Sequence, residues 1–252
     1  ANIYIITLMK IGLLIPCTSR NREWSDIKES YLYKYTIRSL LTTYDKEHTY
    51  KFYIGIDKND KIYDIEDNKG YLRKFCSVMK NIEIEFIYME DIKKGHLTVM
   101  WNKLFKTAFD DDCNYFFQCG DDIHFQTKGW VNTCISIQIQ NNDICLTGPL
   151  DVNNTRLLTQ SFVSRKHMEL FGYYFPPEII NWFCDDWINE VYIKMNKFFP
   201  LRNYVCNNLG GQPRYDINND IIRTQIQFND SRAKMRKKCS ELVRRDIERN
   251  KK

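Results

Sequence analysis

Glycine and proline are scarce in this chain of 252 residues, at ten and six. That excludes collagen-like repeats and linker-rich low-complexity arrays, which depend on one or both. A CxxC pair is also missing. The nine cysteines, at positions 17, 76, 113, 119, 134, 145, 184, 206 and 239, are scattered, odd in number and without histidine at ligand spacing. They read as buried thiols of a reducing, cytoplasmic compartment, not as a disulfide framework. The four histidines are dispersed, and His48 reads as a surface residue. No apolar run is long enough to cross a bilayer, since the longest, Ile3 to Cys17, is short and broken by Lys10. Met9-Lys10-Ile11-Gly12 would make a sensible translation start, so residues 1–8 read as an extension outside the core fold, and no targeting peptide is evident.

What remains is an ordinary globular composition with 43% hydrophobic, 14% aromatic and 27% charged residues. A chain of this size buries roughly 70–75% of its unfolded surface, enough for a sizeable core without staples. The formal charge of +5 is concentrated in one place. Residues 231–252 carry ten Lys and Arg against three acidic residues, leaving a nearly neutral body, which argues against a nucleic-acid-binding protein. In that tail Met235, Cys239, Leu242, Val243 and Ile247 fall on one helical face. A C-terminal helix with a basic outer side is expected, docked on the domain or drawn to an anionic membrane surface.

Along the chain, short apolar runs alternate with amphipathic stretches. Strands are expected at 10–16, 50–57, 82–88 and 114–119, and helices at 24–44, 67–79, 96–109 and 129–140. Such alternation signals α/β architecture with a mostly parallel sheet. The second half is less regular, with strands at 143–147, 158–163 and near Tyr204, helices at 165–171 and 185–196, and a terminal helix from 218. With no linker or repeat, the chain reads as one domain: residues 10–122 a nucleotide-binding half, 123–217 an acceptor half, and 218–252 the basic helix.

Three short motifs carry chemistry. Gly120-Asp121-Asp122 follows a very hydrophobic strand, where adjacent carboxylates suit a hard divalent cation, although such a triplet also opens ordinary turns. Asp185 and Asp186 lie between Phe183-Cys184 and Trp187. Desolvation there would raise a carboxylate pKa for base work, and helix capping explains the pair equally well. Asp57 closes the second strand and can accept hydrogen bonds from a base or ribose, or serve as a turn aspartate. Pro16, Thr18 and Arg20 end the first strand where a nucleotide would lie, and Gly95 precedes a helix whose amides could meet phosphate. The aromatic-rich run from Phe171 to Pro177 fits either an acceptor groove or core packing.

Together these residues resemble the GT-A class of nucleotide-sugar glycosyltransferases. Ile15-Pro16-Cys17-Thr18-Ser19-Arg20, Asp57 and the helix bearing Trp101-Asn102 are similar to its donor-binding half, and Gly120-Asp121-Asp122 looks like its DxD element. Phe183-Cys184-Asp185-Asp186-Trp187 resembles both a segment of the inverting N-acetylglucosaminyltransferase I type and the Glu-Asp motif of family-two enzymes. The resemblance implies a GT-A fold, with a Rossmann-like central sheet flanked by helices. It also implies a UDP-sugar donor, Mn²⁺ or Mg²⁺ on Asp122, Asp121 at the metal's periphery or the ribose, and Asp57, Arg20, Pro16, Thr18, Gly95 and Asn102 around the nucleotide. Asp186, flanked by Asp185, would be the general base of an inverting displacement onto a glycan, glycoprotein or glycolipid acceptor.

Two departures stand out: Gly120 replaces the acidic first DxD member, and no histidine follows His167 to serve as the usual C-terminal ligand. A sugar nucleotidylyltransferase is the first alternative, opposed by the lack of a glycine-rich, arginine-bearing loop after the first strand. The second is a non-catalytic nucleotide- or carbohydrate-binding module of the same fold. Richness in Ile, Asn, Lys and Tyr points to an AT-rich coding source, such as a large DNA virus or an AT-rich microbe, which adds a virus factory to the expected locations.

Overall fold

The computed structural model describes residues 8–210 and 225–250. Its eight described strands form one mixed sheet in the order β3-β2-β1-β4-β7-β6-β8-β5. The first four in that order are β3 (Ile82–Tyr88), β2 (Thr49–Ile56), β1 (Lys10–Pro16) and β4 (Tyr115–Gln118), all parallel. Beyond them come β7 (Ser161–Ser164), antiparallel to β4, then β6 (Leu146–Asp151), β8 (Phe198–Asn208) and the three-residue β5 (Ile123–Phe125). β2 and β4 lie on opposite sides of β1, so the strand order reverses at β1. In open α/β sheets, ligands bind at such a reversal, beyond the carboxyl ends of the strands.

Alternation along β1 sends its side chains to two separate cores. Ile11, Leu13 and Ile15 pack with Leu32, Ile37, Leu40, Leu72, Trp130 and Val131, which belong to the 32–43 helix, α2 (Glu66–Ser77) and α4 (Trp130–Gln140). Leu14 faces the other way, toward α3 (Leu97–Asp110), α5 (Arg165–Phe171), α6 (Cys184–Lys194) and α7 (Gln225–Arg249). Leu104 and Phe105 of α3 are completely buried there, each contributing on the order of 1.5–3 kcal/mol. Gly12 lets α3 approach: a Cβ at this position would stand 3.2 Å from the Ala108 Cβ and from the Cys113 sulfur. All nine cysteines are buried free thiols, as their scatter implied.

The expected 24–44 helix is a 3₁₀ turn at Ile27–Glu29 followed by a π-helical stretch, Leu32–Ile37, that continues as α1 (Arg38–Thr43). The hydroxyls of this helix face β5, where Thr36 Oγ1 accepts from the Ile123 amide at 3.0 Å and Ser39 Oγ from the Phe125 amide at 2.9 Å. These bonds replace the ladder that an edge strand lacks on its open side.

α7 buries Cys239, Leu242 and Val243 in the core shared with α6, while Met235 lies outside the side chains described. Arg245 fastens the helix by pairing with Glu178 and the Tyr173 hydroxyl, and Asp246 beside it accepts from that same hydroxyl. Lys234, Lys237, Lys238, Arg244 and Arg249 are exposed on the other side. The start expected for this helix, 218–224, lies outside the described residues. No described helix is long and apolar enough to cross a membrane.

Candidate functional site

Asp121 and Asp122 are held by fastenings on both sides. On the strand side, the Trp101 indole N–H of α3 is shared between the Leu14 carbonyl at 3.2 Å and the Cys119 carbonyl at 3.3 Å. This clamps β1 and β4 together where their pairing ends, at Leu14 opposite Gln118. On the far side, the Ile123 amide is tied to Thr36. Between the clamps, Asp121 is fully buried and its Oδ2 accepts from the Tyr63 hydroxyl at 3.3 Å, while Asp122 is 8% exposed.

Two glycines make room for the Asp122 carboxylate. A Cβ on Gly120 would stand 2.5 Å from its Oδ1, and one on Gly210 only 1.8 Å from its Oδ2. The stretch after β8 is bound to the same place, with the Leu209 amide donating to the Asp122 carbonyl and Arg22 Nη2 to the Gly210 carbonyl, each at 2.9 Å. A side chain at position 120 would therefore have to displace the end of the Asp122 carboxylate, so the glycine leaves it room as well as removing a carboxylate.

Beside this pair a groove of about 330 Å³ opens beyond β1 and β2, lined by Thr18, Arg20, Asp57, Asp60, Lys61 and Lys94 among others. Pro16 is the last residue of β1, and the Cys17 amide continues the pairing to the Gly55 carbonyl. Thr18 is buried and accepts from the Arg20 amide, leaving the Arg20 side chain exposed at the groove. Asp57, 9% exposed, has Lys94 Nζ at 3.9 Å. Asp60, which the sequence reading passed over, is the buried centre of this region. Its signal was present in Asp57-Lys58-Asn59-Asp60, but a short polar loop does not reveal which aspartate turns inward.

Two expected nucleotide contacts are engaged elsewhere. Asn102 is a structural staple: its Oδ1 accepts from the Tyr174 and Phe175 amides, and its Nδ2 donates to the Phe175 carbonyl. Gly95, at φ +85°, is buried, with its carbonyl accepting from the Leu97 amide and Asn181 Nδ2. The Thr98 amide and hydroxyl bind the Ile179 and Ile180 carbonyls. The amino end of α3 is thus covered by residues 179–181 and not held open for phosphate.

The same cover locates Asp185 and Asp186. α3 enters from β3 at the carboxyl edge of the parallel strands, and residues 179–181 bring the start of α6 to that edge. Both aspartates occupy the first turn of α6, half-buried, where their charge suits the helix dipole. Burial, and then the adjacent Asp186 charge, push the Asp185 carboxyl up to about 6. Phe183, at φ +71°, begins this helix in a left-handed conformation that costs an aromatic residue of order 1–3 kcal/mol. Phe171, Tyr174 and Phe175 are core residues, which settles the aromatic run in favour of packing.

Two histidines are interior. His48 is 1% exposed, contrary to its surface reading, with Nδ1 accepting from the Met9 amide and Nε2 paired with Asn132. His167 lies between the Tyr192 hydroxyl and the Tyr174 carbonyl, and burial lowers it to about 4, so it is neutral. Among the described residues no three His, Cys, Asp or Glu side chains cluster to hold a metal ion. The hard oxygens of Asp121 and Asp122 fit Mg²⁺ or Mn²⁺ as a partial set, the kind such ions complete with phosphate and water.

No family model and no curated protein matches the sequence. Solved structures do match in fold. The chain superposes on S. aureus TarS 1–349 in complex with UDP-GlcNAc with a TM-score of 0.53 at 14% identity, covering 82% of this chain and 60% of that one. On S. aureus TarS the TM-score is 0.52 at 13% identity, covering 78% of this chain and 36% of that one. This chain therefore spans less than two thirds of either protein's length. What the chain shares with these neighbours is the fold: the mixed sheet flanked by helices is GT-A-like. The likeness to the N-acetylglucosaminyltransferase I type is not carried by these neighbours.

Proposed function

We propose that this chain is an inverting glycosyltransferase that takes a sugar from a UDP-sugar donor. The observation that carries the reading is the gathering of Asp57, Asp121 and Asp122 at the carboxyl ends of β2 and β4, on either side of the strand reversal at β1. That crevice is where an α/β sheet binds a nucleotide. The neighbouring TarS structures hold UDP-GlcNAc and UDP, and this adds the donor class.

In this reading Asp57 accepts from the base or ribose, and Arg20 and Lys94 at the groove's exposed side meet the diphosphate. Asp122, with Asp121 beside it, holds Mn²⁺ or Mg²⁺, which when bound offsets charge on the departing diphosphate. Asp186 takes the proton of the acceptor hydroxyl as that oxygen attacks the anomeric carbon from the face opposite the leaving group, so the configuration inverts. Asp185, raised to about 6 by burial and then by the Asp186 charge, flanks that base in the first turn of α6. The exposed basic side of α7 supports an acceptor presented at an anionic membrane surface.

A thermal-shift panel of nucleotide sugars with and without Mn²⁺ tests the reading. Stabilisation by UDP and one UDP-sugar, together with loss of turnover in Asp122→Ala, is expected. No shift with any uridine nucleotide would sink it, and UDP binding without turnover that is also indifferent to Asp186→Ala would leave a binding module.

A further inference from the structure

Asp60 accepts five hydrogen bonds while being only 8% exposed. Oδ2 takes the Ser19 amide at 2.8 Å and the Thr18 hydroxyl at 3.3 Å. Oδ1 takes the Ser19 hydroxyl at 2.6 Å and the amides of Ile62 and Tyr63 at 3.0 and 2.9 Å. One carboxylate thereby joins the loop after β1 to the loop after β2. Both loops line the groove.

The connections run further on each side. Thr18, bound to Asp60, accepts the Arg20 amide through the same hydroxyl at 3.2 Å. Tyr63, whose amide is bound to Asp60, donates its hydroxyl to Asp121. A buried carboxylate with this many donors is fixed in one orientation, and removing a partner of a charged acceptor costs more than an ordinary hydrogen bond.

We infer that Asp60 is a positioning residue for the donor nucleotide, setting Arg20 at the groove and, through Tyr63, the carboxylate of Asp121. The inference rests on the UDP-sugar reading for its ligand, but not for its geometry. In Asp60→Asn the amide oxygen best replaces Oδ1, which serves three donors, and its NH₂ then faces the Ser19 amide. Donor meets donor there, so the β1 loop is loosened at the Ser19 amide and the Thr18 hydroxyl, while the Ser19 hydroxyl and residues 62–63 stay bound.

Hydrogen–deuterium exchange and UDP calorimetry on the full chain test this. Asp60→Asn is expected to accelerate exchange over residues 17–22 at least tenfold with 62–63 little changed, and to weaken UDP binding about tenfold. Ser19→Ala, which removes a single hydroxyl, is expected to weaken UDP about threefold and guards against a misfolded first variant. Wild-type exchange over 17–22 in Asp60→Asn, or undiminished UDP affinity in both variants, would overturn the inference. Faster exchange spread over the whole chain would also do so, by making Asp60 a general stability residue. Wild-type protein that binds no UDP would instead refute the donor reading, and the exchange result would still decide the geometry.

Discussion

The backbone of Gly210 lies against the Asp122 carboxylate, so near that a Cβ on it would stand 1.8 Å from Oδ2. A methyl group cannot fit there without moving either the chain after β8 or the carboxylate. Gly210→Ala is expected to lower donor-dependent turnover at least tenfold while the melting temperature falls by only a few degrees. Steady-state kinetics with a melt on the same preparation measures both, and unchanged turnover would show that Asp122 is not held by this contact.

Asp185 gives a pH test. Its folded pKa of about 6 stands above the ordinary value of 3.8, so the folded state keeps a proton that the unfolded state releases. Its contribution to stability is fully present below 3.8 and is lost as the pH rises through about 6. Carbon-13 titration of the Asp185 side-chain carboxyl should show a midpoint near 6. Asp186→Asn removes a charge that raises it and should shift the midpoint down; a midpoint that rises or stays would contradict the assigned cause.

Trp101→Phe keeps the ring's bulk and removes the N–H that bridges Leu14 and Cys119. The expected loss is about 1 kcal/mol, roughly 2–4 °C in melting temperature for a protein of this size. A larger drop in turnover than in stability is expected as well, because the clamp sits immediately before Gly120-Asp121-Asp122. Proportional losses would mean that the clamp serves only the core.

The basic side of α7 predicts binding to anionic vesicles. Sedimentation with phosphatidylserine vesicles should fall with rising salt, and it should be abolished by combining Lys237→Glu, Lys238→Glu and Arg244→Glu. Equal pelleting of the variant and the wild type would remove membrane attraction from the functional reading.

Legibility varied along the chain for physical reasons. β1 is a buried central strand whose apolar run ends at proline, and β3 is a half-buried edge strand that ends before a turn; the observed bounds of both are those expected. α5 also begins and ends as read, with Ser164 capping it and Gly172 at φ +78° closing it. β6 was expected at 143–147 but runs Leu146–Asp151, through Gly148-Pro149. Proline is tolerated because β6 pairs with β7 only at Thr147 opposite Phe162, and its register with β8 shifts just past Pro149. β5 is too short to announce itself, being held by β8 on one side and by helix hydroxyls on the other. Within the site, Asp57, Asp121 and Asp122 were legible as strand-end carboxylates, whereas Asp60 was not, because its importance comes from donors about forty residues away in sequence.

The junction between β4 and β7 has a consequence for how this protein can vary. On one side every strand is parallel and the groove residues belong to loops after β1 and β2; on the other, parallel and antiparallel pairings mix and the register is irregular. Insertions and exchanges on the irregular side can rework what is offered to the site without altering the register that holds Asp57, Asp60 and Asp121. The molecule is in that sense an exchangeable front on a fixed frame, and a graft of residues 146–208 from a structural neighbour is the natural place to look for a changed acceptor with an unchanged donor.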